Sequence, residues 1–291
     1  MRLTGLPFKW SMNRHSGFMG CRRKYFFRYY GSAHDDEVER LKSLSGIHLW
    51  AGNLVHDAIS GIIKSWEWPS NIEKFIRRIT HGQMPQDWMF SQAGTKRFRL
   101  WEHEYGEIPD RAKKGTIIEK VRKSMTNFFS GWAPHLQKLG KSSVLECEDK
   151  FIIGVNGREV TGAIDLALRV GDRAILVDWK TGKPDAKHNR QMHVYALRAQ
   201  RAGWVKDSRD AECSLSYLLG ATIAKPKPPT TSSVEFFIGQ SIDAMERAAP
   251  GNVADIEEFP MTTNEWECKW CEFRRICWPG RTFQELQPRR A

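Results

Sequence analysis

Along the first 140 positions, apolar residues recur three and four apart. Across 46–66 the series Ala51, Leu54, Val55, Ala58, Ile59, Ile62, Ile63 and Trp66 fits one face of an amphipathic helix. A second helix is predicted from about residue 114 to 139, and the Trp-, Arg- and Pro-rich tract between the two reads as irregular or short-helical. From Ser143 the period changes to two. VLECEDKFIIG and REVTGAIDLALRV are β-rich runs joined through Asn156-Gly157, the strongest short signal for a hairpin. Gly171-Asp172 turns the chain into a third strand, AILVDWK. Pro184-Asp185 opens a helix that Gly203 stops after Ala202, and SLSYLLG reads as a fourth strand. Hairpins are antiparallel, so this order predicts an α/β fold with a mixed central sheet flanked by helices, not a doubly wound parallel one. The stretch 225–233, KPKPPTTSS, reads as a loop; a short strand, VEFFIG, and a helical stretch then lead to a cysteine-rich tail.

Composition narrows what such a fold is for. With 291 residues, 41% of them hydrophobic, the chain can fill one sizeable core or two modest ones. Forty-five Lys and Arg against 34 Asp and Glu leave a net charge of +11, which favours a polyanionic partner, nucleic acid first. No stretch approaches the roughly 18 apolar residues of a membrane span, and the first twenty residues lack the apolar run of a signal peptide, so a soluble, cytoplasmic chain is expected. Six cysteines are too few for a disulfide scaffold, which points clustered thiols toward metal. Gly140-Lys141-Ser142 is not a phosphate loop, because His135 stands where that motif needs glycine. No ATP site is expected, and any helicase serving this chain would be a separate protein.

The acidic residues of the strand region carry the chemistry. In a strand Asp178 and Lys180 project to one side with Trp179 opposite. Asp165, thirteen residues earlier and near the middle of the preceding strand, can be brought beside Asp178 by hairpin pairing. Two converging carboxylates repel unless a cation neutralises them, and hard divalent ions with oxygen ligands do so. A lysine beside such an ion can orient a water toward a phosphodiester. A lone D-x-K is more often an ordinary solvated pair.

The company this motif keeps changes that balance. GAID, then AILVDWKTG, then Gln191 and Tyr195 four apart on the following helix resemble the RecB/AddB branch of the PD-(D/E)xK nuclease superfamily. There a G-x-[IV]-D strand precedes an [IV]-D-[YW]-K-T-G strand and a helix with Q-x-x-x-Y. His56, in GNLVHDAI, resembles the family's helix histidine. The resemblance implies a restriction-endonuclease-like core in which His56, Asp165, Asp178 and the Trp179 carbonyl bind a catalytic Mg²⁺ or Mn²⁺ and Lys180 positions the water. It implies that Gln191 and Tyr195 buttress the site and contact the DNA strand. Glu148 stands where many relatives carry a glutamate, with Glu146 as competitor. Trp179 for Tyr, and Asp178 for Glu, are both tolerated among RecB-like members.

Cys268, Cys271 and Cys277 form C-x2-C-x5-C, and three thiolates cannot close a tetrahedral site. AddB-type and CRISPR-associated RecB-like nucleases place one cysteine near the N-terminus and three after the core, which makes Cys21, in GCRRKYFFRYYG, the fourth. The resemblance implies a [4Fe-4S] cluster stapling the terminal segments; a four-cysteine zinc site is the chemical alternative. Cys147 and Cys213 lie in strand-like runs and are expected to be buried small side chains. Around the cluster cysteines, Arg22, Arg23, Lys24, Arg28, Arg274, Arg275 and Arg281 alternate with aromatic residues, a pattern that suits DNA, with the arginines as the contacts expected there.

The expected organisation is an N-terminal helical segment, 1–45, with the first cluster cysteine; a helical region, 46–142, with the site histidine; the nuclease core, 143–250; and a cluster segment, 251–291. The function expected is a metal-dependent deoxyribonuclease acting on single-stranded DNA from an end, alongside repair, recombination or defence partners. A structure-specific endonuclease and a non-catalytic DNA-binding subunit are the rivals.

Overall fold

The computed structural model of the chain describes residues 2–94 and 98–277. Nine strands are described: β1 (Arg2–Thr4), β2 (Val144–Glu146), β3 (Asp149–Val155), β4 (Arg158–Ile164), β5 (Leu166–Val170), β6 (Arg173–Lys180), β7 (Glu212–Tyr217), β8 (Thr222–Ala224) and β9 (Val253–Asp255). These residues fall into two compact units, one made of 2–44, 154–161 and 236–277, the other of 45–153 and 162–235.

The larger unit is built on a five-stranded sheet of order β2-β5-β6-β7-β8. β6 and β7 run parallel while the other pairs are antiparallel, which is the mixed sheet expected. A parallel pair needs a crossover, and the helix Lys187–Arg201 supplies it. Within the segment 154–161 of the smaller unit, Asn156 and Gly157, at φ +50° and +72°, make the hairpin turn between β3 and β4. Trp179, on the face of β6 away from the carboxylates, is 1% exposed and meets the rings of Phe128 and Trp132 edge-on at 5.7 and 5.0 Å. That contact joins the sheet to the helix Arg111–Gly131, within a core that also takes in Leu54, Val55 and Ile59 of the helix Ile47–Ser65. No helix among the described residues is long and apolar enough to cross a membrane.

Three expectations are corrected. The single helix predicted over 114–139 is two, Arg111–Gly131 and Ala133–Leu139, because Pro134 stands in the first turn of the second and cannot continue a ladder. VEFFIG is not a strand: it lies in the helix Thr231–Ala248, where Val234, Ile238, Ile242 and Met245 are buried at helical spacing, a period longer than the six-residue run reveals. The run REVTGAIDLALRV is interrupted at Asp165, between β4 and β5, so this aspartate is not mid-strand.

The smaller unit holds both terminal segments. β1 pairs antiparallel with β9, Leu3 opposite Ala254. Trp10 donates from its indole to Ser241, which also meets His15 Nδ1 at 2.7 Å. Phe259 is fully buried, with the rings of Tyr25, Phe26 and Tyr30 centred 6.2, 5.7 and 6.0 Å away. Its carbonyl accepts from Arg23 Nε at 2.7 Å. Aromatic residues of this N-terminal run thus build a core. Phe259→Ala is expected to cost about 3–5 kcal/mol, read as a lower urea midpoint in unfolding followed by circular dichroism.

Candidate metal centre

The site starts from strand register. β5 pairs with β6 so that Leu166 lies opposite Val177, which brings Asp165, one residue before β5, alongside Asp178. Asp165 Oδ2 accepts the Trp179 N–H at 2.6 Å. A side chain thereby takes the place of a ladder partner, and the strand breaks where the carboxylate is needed.

The helix Ile47–Ser65 brings His56 to this point. A Cβ on its Gly52 would stand 3.1 Å from Thr181 Oγ1, so glycine permits the close approach to the end of β6. His56 Nδ1 lies 3.1 Å from Glu148 Oε1 and 3.4 Å from Asp165 Oδ2, while Nε2 lies 2.9 Å from the Trp179 carbonyl oxygen. Both ring nitrogens therefore face acceptors. Burial works to lower the His56 pKa, but Glu148, Asp165 and Asp178 outweigh it and raise it to about 9. Glu148 sits at φ +51°, a left-handed conformation that costs a non-glycine residue about 1–2 kcal/mol and is held by its N–H bond to Ile164 O at 2.8 Å. Glu146 points elsewhere, to Arg198 at 3.2 Å.

Burial, then the repulsion of Asp178, pushes the Asp165 pKa up, and burial does the same to Asp178 against the pull of Lys180. Lys180 Nζ stands 2.7 Å from Asp178 Oδ2, whereas Oδ1 has no hydrogen-bond partner among the described residues. Lys180 also donates to Gln191 Oε1 at 2.8 Å, and Gln191 Nε2 donates to the Tyr195 hydroxyl at 2.6 Å. Tyr195 is 4% exposed, and burial raises its pKa well above the ordinary value. Asp178, Lys180, Gln191 and Tyr195 thus form one continuous polar line from β6 into the crossover helix.

His56, Glu148 and Asp165 offer one donor atom each, all within 4.8 Å of one another. Asp165 and Asp178 carry raised pKa values and Asp178 Oδ1 lacks a partner, so the residues present fit a divalent cation that would neutralise these two acids. The sequence pattern did not single out His188, whose Nδ1 lies 3.1 Å from the Tyr217 hydroxyl and whose pKa is lowered by burial and by Lys180. Its signal was its spacing: 188, 191 and 195 share one helical face.

In the smaller unit, Cys21, Cys268, Cys271 and Cys277 line one small cavity together with Lys24, Phe27 and Phe273. Burial pushes the thiols of Cys268 and Cys271 up to about 12 and that of Cys277 to about 11. Buried Glu272, next to Cys271, pairs with Lys24 at 2.7 Å and with Arg28. Cys147 and Cys213 are buried. The basic residues expected to meet DNA have partners inside the unit: Arg23 on the Phe259 carbonyl, Arg28 on Glu272, Arg274 on the Lys269 carbonyl, Arg275 on Glu37, and Arg22 over the Phe18 ring. Arg281 lies outside the described residues.

Comparison with known proteins now decides the family. The model of the PD-(D/E)XK nuclease superfamily matches residues 9–278. The chain belongs to that superfamily. Among solved structures, this PD-(D/E)XK chain is similar to the crystal structure of SSO0001 at 18% identity, over 62% of this chain and 80% of that one, with a TM-score of 0.32. No curated protein matches it. Superfamily membership implies metal-dependent nuclease activity, and in this PD-(D/E)XK chain the gathered acids and histidine offer a site for the metal.

Without a cation, His56 holds its proton up to about pH 9 against an ordinary 6.5, and the Asp165 pKa is shifted in the same direction. Both groups bind protons more tightly in the folded state, so metal-free protein should lose stability as pH rises from about 6.5 to about 9. A cation must displace those protons, so it should bind more tightly at pH 9 and restore the melting temperature there. Calorimetry with and without Mn²⁺ at both pH values checks this; metal-free protein that grows more stable across the interval contradicts it.

Proposed function

We propose that this chain is a Mg²⁺- or Mn²⁺-dependent deoxyribonuclease of RecB type, hydrolysing single-stranded DNA from an end, with a [4Fe-4S] cluster on Cys21, Cys268, Cys271 and Cys277. One observation carries the nuclease reading: donor atoms of His56, Glu148 and Asp165 lie within 4.8 Å of one another beside the Asp178–Lys180 pair. Carboxylate oxygens with one imidazole suit these ions. The Trp179 carbonyl sits 2.9 Å from the other ring nitrogen of His56, Nε2, and Asp178 adds an unpartnered oxygen. The bound cation supplies charge neutralisation at the phosphodiester and a more acidic water.

The chain's own residues do the rest. Lys180, fixed between Asp178 and Gln191, holds the attacking water by its ammonium group. As the water oxygen bonds to phosphorus, the bond to the leaving sugar oxygen breaks; the attacking water gives up one proton to solvent and the leaving oxygen takes one up from solvent. Tyr195 anchors Gln191 from the core, so it acts as a positioning residue for Lys180. The excess of +11 supports a polyanionic substrate.

The cluster reading is supported by the shared cavity of the four cysteines.

Lys180→Ala should lose at least about 100-fold in cleavage of labelled single-stranded DNA with Mn²⁺ while binding is kept. Equal cleavage by variant and parent removes the mechanism. A circular single strand should survive intact; its cleavage makes the protein an endonuclease. Anaerobically purified protein should be coloured and carry iron and sulfide, and Cys268→Ser should lose both; a colourless, zinc-loaded sample overturns the cluster.

A further inference from the structure

The helix Ile47–Ser65 borders a second feature, an open cavity of 490 Å³, within the range of about 300–1,000 Å³ usual for small-ligand sites. One wall carries Asp57, which follows His56 on the helix, turned about 100° from it, and interacts electrostatically with Glu148 and His56. The other wall is the segment from Phe75 to Gln86. Its middle, Arg78–Gln83, is a π-helical turn between the helices Ile72–Arg77 and Met84–Gln92. Such turns add a residue to the helix and occur often at functional sites.

The side chains along this wall share one chemistry. Phe75 is half-buried, set edge-on to Phe129 at 5.9 Å, and the exposed Arg78 guanidinium lies 5.0 Å from its ring centre. Gln83 and Gln86 are exposed amides, each able to donate and accept at once, as the edge of a nucleobase requires. A ring, a guanidinium and two amides around one cavity match a base, its stacking face and its phosphate. Asp57 disfavours phosphate beside it, which leaves Arg78 as the phosphate partner among the lining residues.

We infer that this cavity is a nucleotide subsite: it takes the base of a nucleotide next to the scissile phosphate, with Gln83 and Gln86 on its edge and Arg78 on its outer phosphate. The inference rests on the nuclease reading and adds to it a place where the strand is gripped beyond the metal. A grip of this kind acts on binding more than on the chemical step.

Gly82 provides the test. It lines the cavity, and a Cβ there would meet nothing within 4 Å, so Gly82→Leu adds bulk at the cavity wall from a position with room for a side chain. Parent and Gly82→Leu are compared on single-stranded oligonucleotides in which each nucleotide in turn is abasic. In the parent, one abasic position near the cleaved bond should raise KM about tenfold. Gly82→Leu should raise KM for the intact strand by a similar factor, lose the penalty at that position, and change kcat by less than about twofold. Gln86→Ala should weaken the same position alone. If no position's penalty differs between parent and Gly82→Leu, the subsite is refuted. Fluorescence anisotropy of the same oligonucleotides on Lys180→Ala and on Lys180→Ala with Gly82→Leu, in Ca²⁺, separates the two readings. A parent that cleaves nothing sinks the nuclease, yet an abasic penalty seen in binding and erased by the leucine still supports the cavity, and its absence there overturns it.

Discussion

Two aspartates buried side by side set the terms for the larger unit. Asp178 is fully buried and Asp165 is 6% exposed, and ionising both in one place is opposed by desolvation and by their mutual repulsion. The surrounding structure answers that cost by delivering positive charge and donors. β5–β6 pairing brings the two acids together and lets the Trp179 N–H bind one of them. Gly52 admits the histidine helix, and the crossover forced by the parallel β6–β7 pair carries the Gln191–Tyr195 brace for Lys180. Each of these features is explicable as a means of holding like charges at one point.

Much of this was legible in the sequence because it is local. The alternation of AILVDWK assigns Asp178 and Lys180 to one face and Trp179 to the other, and the structure pairs Asp178 with Lys180 while Trp179 packs on Phe128 and Trp132. The helical stripe from Ala51 to Ile63 gives the histidine helix almost to its ends. What the sequence hid depends on non-local pairing. The break at Asp165 follows from a side chain capturing a backbone donor on another strand, which no period reveals. The choice of Glu148 over Glu146 turns on a left-handed residue and on Arg198, both supplied by the fold. His188 is polar on a polar face and gains meaning only when Asp178 and Tyr217 are placed near it.

The smaller unit is organised by a different force. Its aromatic residues, which in the sequence could stack on bases or pack inward, are mostly consumed by Phe259 and one another, and its arginines, the contacts expected for DNA, by carbonyls and carboxylates. An aromatic and basic run is ambiguous in sequence because the same residues build cores and grip nucleic acid. Burial separates the two uses: Tyr25, Phe26 and Tyr30 are each at most 1% exposed. The thiol cavity beside them sits in a framework braced by buried ion pairs at Glu272.

The left-handed backbone at Glu148 sets two evolutionary pressures against each other. Glycine or asparagine would relax this turn, yet either would remove the carboxylate that faces His56. Selection for heat resistance alone would thus favour a calmer turn at position 148 at the expense of the carboxylate that faces His56, so what occupies that position across a lineage reads out which pressure prevailed.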